Sequence, residues 1–183
     1  MKFTFIKHNQ IKIIIQLAII VCIINIDGVI GQNIIKQTFD LKITGRVISE
    51  KTFNIHDLDT FAQVNIDEYI LYNKDGSLKN TLKNLKGIPI KSILKVVKYA
   101  EESPRSLNEY YFILKASDGY KVVFSWNEIY NTDVGNNLFI ITEIDGKKAR
   151  DLPHHILFLS CADIKTGLRY IKCLENIEVK QIE

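Results

Sequence analysis

Apolar residues crowd together between Tyr110 and Glu128, in the stretch YYFILKASDGYKVVFSWNE. Phe112, Ile113 and Leu114 form one β-rich arm and Val122, Val123 and Phe124 another, with Ser117-Asp118-Gly119-Tyr120 between them. An Asp-Gly step between apolar arms predicts an antiparallel hairpin, because glycine takes positive φ without a Cβ clash. The apolar residues in each arm are consecutive rather than alternating, which predicts burial on both faces. Upstream, Leu41, Ile43 and Val47 alternate with Lys42, Thr44 and Arg46, and Phe53 and Ile55 continue the pattern, so two short strands are expected. Gly45 interrupts the first of them and marks a bulge or bend. Asp57 is placed to cap a short helical turn through Leu58 and Phe61. Ile66–Tyr72 reads as a strand turned back by Asn73-Lys74-Asp75-Gly76. Leu78 to Leu85 fits a strand or a helix equally.

Gly87-Ile88-Pro89 predicts the start of a helix with proline in its first position. Ile90, Ile93, Leu94 and Val97 follow helical spacing, with Lys91, Lys95 and Lys98 on the opposite, solvated side, and Ser103-Pro104 as the stop. A helical turn over Asn127–Tyr130 is expected, then a strand over Leu138–Ile144, an Asp145-Gly146 hairpin turn, and a strand over Ile156–Cys161. A loop at Lys165-Thr166-Gly167 precedes strands over Arg169–Leu174 and Ile177–Val179. Strands outnumber helices, which predicts an α+β fold of mixed, mostly antiparallel sheets with few short helices.

The N-terminus has a different pattern. Lys2, Lys7 and Lys12 precede an apolar run from Ile13 to Ile24, broken by Gln16. About 12 residues fall short of the roughly 20 that cross a bilayer. A basic start, a short apolar stretch and the small-residue exit Val29-Ile30-Gly31 describe a secretory signal peptide over residues 1–31. The remainder, residues 32–183, is then expected to be a single domain, secreted or periplasmic and not held on a membrane after cleavage. The chain of 183 residues carries 24 Lys and Arg against 21 Asp and Glu. Three of those lysines lie in the expected signal peptide, so the remainder is close to neutral. That balance argues against nucleic acid as a partner.

Candidate chemistry is sparse. No Gly-rich phosphate loop, G-x-S-x-G elbow or H-E-x-x-H motif is present. His154 and His155 are neighbours and read as surface or loop-end residues, His56 as a structural imidazole, Trp126 as a core or rim aromatic, and Asp118 as a turn-former. Cys161 and Cys173 permit one disulfide in an exported protein, or two buried thiols. Cys161 would serve as a nucleophile only beside a base. Gly167-x-Arg169-x-x-Lys172 places two cations near the C-terminus, a planar fork and a point charge, both suited to an anion. In a strand they would face opposite sides, so a shared site requires a bend there, and on charge alone both read as solvated.

Several segments, taken in order, resemble the molybdopterin-binding domain of the sulfite oxidase family in its small, exported, stand-alone form. Leu41–Val47 (LKITGRV) resembles its opening strand, and Phe53–Leu58 (FNIHDL) the segment after it. Gly87-Ile88-Pro89-Ile90, with Ile93 and Leu94, resembles its G-V-P-L and following leucines. Ala116–Tyr120 resembles its A-S-D-G-Y hairpin, and Gly167–Lys172 with Leu174 and Ile177 its closing G-x-R-x-V-K-x-L-x-x-I. The resemblance implies molybdopterin as cofactor, with Arg169 and Lys172 helping to hold the pterin, and a small anionic or pterin ligand as partner. The family's molybdenum-ligating cysteine stands ahead of the G-V-P-L segment, yet Asn33 to Lys86 contains no cysteine. The protein is therefore expected to be a non-catalytic binding or accessory module on a sulfite-oxidase-like fold. The alternatives are a molybdopterin-dependent oxidoreductase with an atypical metal-ligand set, or an unrelated α+β interaction protein.

Overall fold

A computed structural model of the chain describes residues 35–73, 75–101, 103–164 and 167–182. The expected signal peptide lies outside them, as do Lys74 of the first turn and Lys165 and Thr166 of the late loop. From Ile35 onward the chain forms one compact unit. Its elements run β1 (Asp40–Gly45), β2 (Lys51–Asn54), α1 (Ile55–Leu58), β3 (Val64–Tyr72), β4 (Leu78–Pro89), α2 (Ile90–Leu94) and α3 (Pro104–Leu107). They continue with β5 (Tyr110–Ala116), β6 (Lys121–Ser125), α4 (Trp126–Tyr130), β7 (Leu138–Ile144), β8 (Lys147–Lys148), β9 (Leu157–Ser160) and β10 (Leu174–Gln181). One sheet has the order β2-β1-β10-β5-β6, and the other runs β3-β4-β7-β8 with β9 also paired to β7. β1 and β10 are parallel, and every other strand pair among the described residues is antiparallel. The expected class is observed: mixed, mostly antiparallel sheets with short helices.

Packing explains which strands show alternation. In β7, Leu138 and Ile140 join the main core, whereas Phe139 and Ile141 join a second cluster with Tyr69, Leu71, Leu85, Leu157 and Leu159. Side chains of successive residues point to opposite faces, so a strand between two apolar layers needs an unbroken apolar run. The central hairpin forms as expected, with Gly119 at φ +85° in its turn. Its two-sided burial does not. Phe112, Leu114, Val122 and Phe124 are buried, but Ile113 is only half-buried and Val123 is 53% exposed. That sheet is covered on one face only, and β6 is its edge.

Tertiary pairing also redraws the expected helix. Gly87, Ile88 and Pro89 pair with Ile141, Ile140 and Phe139, which extends β4 through the proline. Pro89 therefore precedes a helix of five residues instead of opening a long one. The stripe Ile90, Ile93, Leu94 and Val97 is buried as its spacing predicts. Ser103-Pro104 begins α3 rather than ending a helix, because the Ser103 hydroxyl accepts from the Ser106 N–H at 3.1 Å. At α1 the capping residue is Asn54, whose side chain accepts from the His56 and Asp57 amides. Asp57 returns the contact, accepting from the Asn54 N–H at 2.8 Å in a capping box. Gly45 does mark a bend. It sits at φ +93°, and a Cβ there would lie 2.2 Å from the Val179 carbonyl oxygen of the parallel partner strand.

The last correction bears on the site. Arg169 to Leu174 is not a strand. Ile171 makes an isolated bridge to Phe158, Cys173 takes a positive φ of 52°, and β10 starts only at Leu174. The closing motif is therefore an ordered loop strapped across β9.

Candidate functional site

The strap carries Arg169 into a cluster of carboxylates. Its Nε donates to both oxygens of Asp163 at 3.0 and 2.9 Å, and its Nη2 also reaches Asp163 Oδ1. Nη1 donates to Glu128 Oε1 at 2.7 Å. The guanidinium carbon lies 4.5 Å from the centre of the Phe124 ring. Ser160, at the end of β9, donates to Asp163 Oδ1 at 2.7 Å. Each partner has a local reason to be there. Glu128 is the third residue of α4, and its carboxylate also accepts from the Ser125 amide in a capping box. Asp163 sits where the chain leaves β9. The carboxylates, Asp163 foremost, hold the guanidinium charged beyond even its usual range. Arg169 is thus not a solvated cation. Its planar fork is engaged with two acids and stacked on an aromatic ring.

Lys172 has different neighbours. Its Nζ lies 5.8 Å from the Tyr170 ring centre, and no ion pair among the described residues includes it. Its charge adds to burial in lowering the His154 pKa. The hydrogen bonds, ion pairs and ring contacts of the two cations among the described residues share no partner.

The cysteines are two free thiols, Cys161 half-buried and Cys173 buried. Burial and the nearby Asp163 charge push the Cys161 thiol up to about 11, the opposite of what a nucleophile or metal ligand needs. The same surroundings push Tyr69 up to about 12, mainly by burial. His155 is buried rather than at the surface, edge-on to Phe39 at 4.2 Å, and His56 is exposed rather than structural. Asp118 forms the turn as expected, accepting from the Tyr120 amide at 2.9 Å. Trp126 is a half-buried rim aromatic stacked on Tyr130. Among the described residues, no three His, Cys, Asp or Glu side chains group as metal ligands. Sequence reading missed the roles of Glu128 and Ser160. The S-x-x-E spacing of Ser125 and Glu128 was a visible capping signal, but nothing in the sequence linked that acid to Arg169.

No protein-family model matches the chain, and no curated protein matches it. Among solved structures it is similar to the sulfane dehydrogenase SoxCD from Paracoccus pantotrophus, with a TM-score of 0.55 and 13% identity. The match covers 79% of this chain and 39% of that one, so this chain spans well under half the length of SoxCD. At that identity the likeness carries the fold: an arrangement of sheets and short helices found in part of an oxidoreductase.

Proposed function

We propose that this chain is an exported binding or accessory module on a sulfite-oxidase-like fold that performs no molybdenum chemistry. The observation that carries the reading is the closed fork of Arg169. The closing motif would offer this arginine to a pterin, but a pterin phosphate would first have to displace Asp163 and Glu128. Asp163 would then face the incoming anion as a like charge. The residues present do not fit the group in a second respect. Cys161, the thiol nearest this cluster in the chain, would have to lose a proton that burial and Asp163 make costly to remove. On this reading Arg169 is a latch for the strap, and Lys172 is the cation of the motif still able to meet an anionic ligand.

Metal analysis of protein purified from its native host tests the proposal. Molybdenum far below one atom per chain is expected. Stoichiometric molybdenum would overturn the reading in favour of an oxidoreductase with an atypical ligand set. N-terminal sequencing of the exported protein tests the address, with Gln32 expected as the first residue and an intact Met1 counting against export with cleavage.

A further inference from the structure

A cavity of about 380 Å³ opens where α2, α3 and α4 meet, and its lining includes neither Arg169 nor the acids that hold it. One wall is Trp126 and Tyr130, stacked with ring centres 4.8 Å apart. The Tyr130 hydroxyl is 2.9 Å from that of Tyr99, which also lines the cavity. Leu94, Val97 and Leu107 supply aliphatic surface. The charged groups are of one sign. Lys91 and Lys95, one helical turn apart, line the same cavity, and no acid among the described residues does. Lys91 Nζ is held by a neutral partner, Asn136 Oδ1, at 2.8 Å. No ion pair among the described residues includes either lysine. The Trp126 indole N–H is buried and has no acceptor among the described residues.

An open hollow of this size, lined by aromatic and aliphatic groups with polar groups of one kind, can seat one face of a small molecule. We propose that it binds a small aromatic carboxylate, its ring in the apolar hollow and its carboxylate held by Lys91 and Lys95. The assignment rests on the binding-module reading and gives it a site and a ligand class. The lysines that spacing alone assigns to solvent thereby acquire an anionic partner.

Trp126 is the only tryptophan in the chain, so intrinsic fluorescence reports on this cavity directly. The full chain would be titrated with 3-phenylpropionate, with its neutral analogue 3-phenylpropanol, and with 3-phenylpropylamine. Saturable fluorescence change with the carboxylate is expected, with about tenfold weaker binding of the alcohol and weaker still of the amine. In the Lys91→Gln/Lys95→Gln variant, the carboxylate should fall to the affinity of the alcohol, while alcohol binding and melting temperature stay unchanged. A carboxylate no better than the amine, or no saturable signal from any probe, overturns the assignment. So does a dimer at micromolar concentration whose fluorescence ignores all three probes, which would give the hollow to a second copy. Molybdenum content is measured on the same preparation. A molybdenum-loaded protein that binds 3-phenylpropionate would remove the accessory reading and keep the site, and a metal-free protein that binds none would do the reverse.

Discussion

Arg169→Ala is expected to destabilise the domain by about 2–4 kcal/mol, because it strands a carboxylate. The Asp163 side chain is only 8% exposed, and without Arg169 its remaining side-chain donor among the described residues is the Ser160 hydroxyl. Breaking a buried pair by removing one partner costs about 3–5 kcal/mol. Here the Arg169 and Glu128 side chains are 25% and 33% exposed, so water recovers part of the loss. Losing the guanidinium over Phe124 adds back roughly 0.5–1 kcal/mol. In a domain of this size, 1 kcal/mol moves the melting temperature by about 2–4 °C, so a drop on the order of 5–15 °C is expected. Urea unfolding, followed by Trp126 fluorescence and far-UV circular dichroism, measures the change. Arg169→Lys keeps the charge but not the fork and should lose about half as much. Arg169→Met combined with Asp163→Asn should cost less than the sum of the two single changes, since no unpaired charge then remains. An Arg169→Ala protein within about 0.5 kcal/mol of the parent, or fully additive single changes, would refute the latch.

Two glycines separate strain from collision. Gly45→Ala puts a methyl group against the Val179 carbonyl at positive φ and should cost about 3 kcal/mol or more, whereas Gly119→Val meets nothing within 4 Å and should cost only the roughly 1–2 kcal/mol of its φ. Equal melting temperatures for the two variants would contradict this account of β1 against β10. Alkaline stability should also reflect the buried acids. Cys161 and Tyr69 ionise near 9.0 and 10.0 when free but at about 11 and 12 in the fold, so between those values the unfolded chain releases protons that the native state retains. Their contribution is intact below about pH 9 and is lost as pH rises through 11 and 12, and Cys161→Ala should flatten the early part of that decline in a melting-temperature series. For the same reason Cys161 should resist thiol reagents at pH 8 until the protein unfolds.

Most strand positions and the short-range turns were legible in the order of residues alone, though not the strand at Gly87–Pro89, the loop at Arg169–Cys173 or the choice at Leu78–Leu85. Alternation placed Leu41 and Ile43 in the core, and Asp-Gly steps placed the turns at Gly119 and Gly146, because these depend on local geometry and on the two-residue period of a strand. The helical spacing of Ile90, Ile93 and Leu94 was legible too, but the extent of that helix was not, since Gly87 to Pro89 pair along the edge that β7 offers them. Nor was it legible that β7 would be covered on both faces and the central hairpin on one. Both present similar apolar runs, and only the stacking of the sheets separates them. The candidate site divides in the same way. Arg169 was visible as a cation in a recurring motif, whereas its condition depends on Glu128, 41 residues earlier, and on Asp163 across a bend. A lone arginine has the same chemistry whether it holds a ligand or a loop. Only the folded chain brings the carboxylates within hydrogen-bonding distance, and that proximity decides what its fork is bound to.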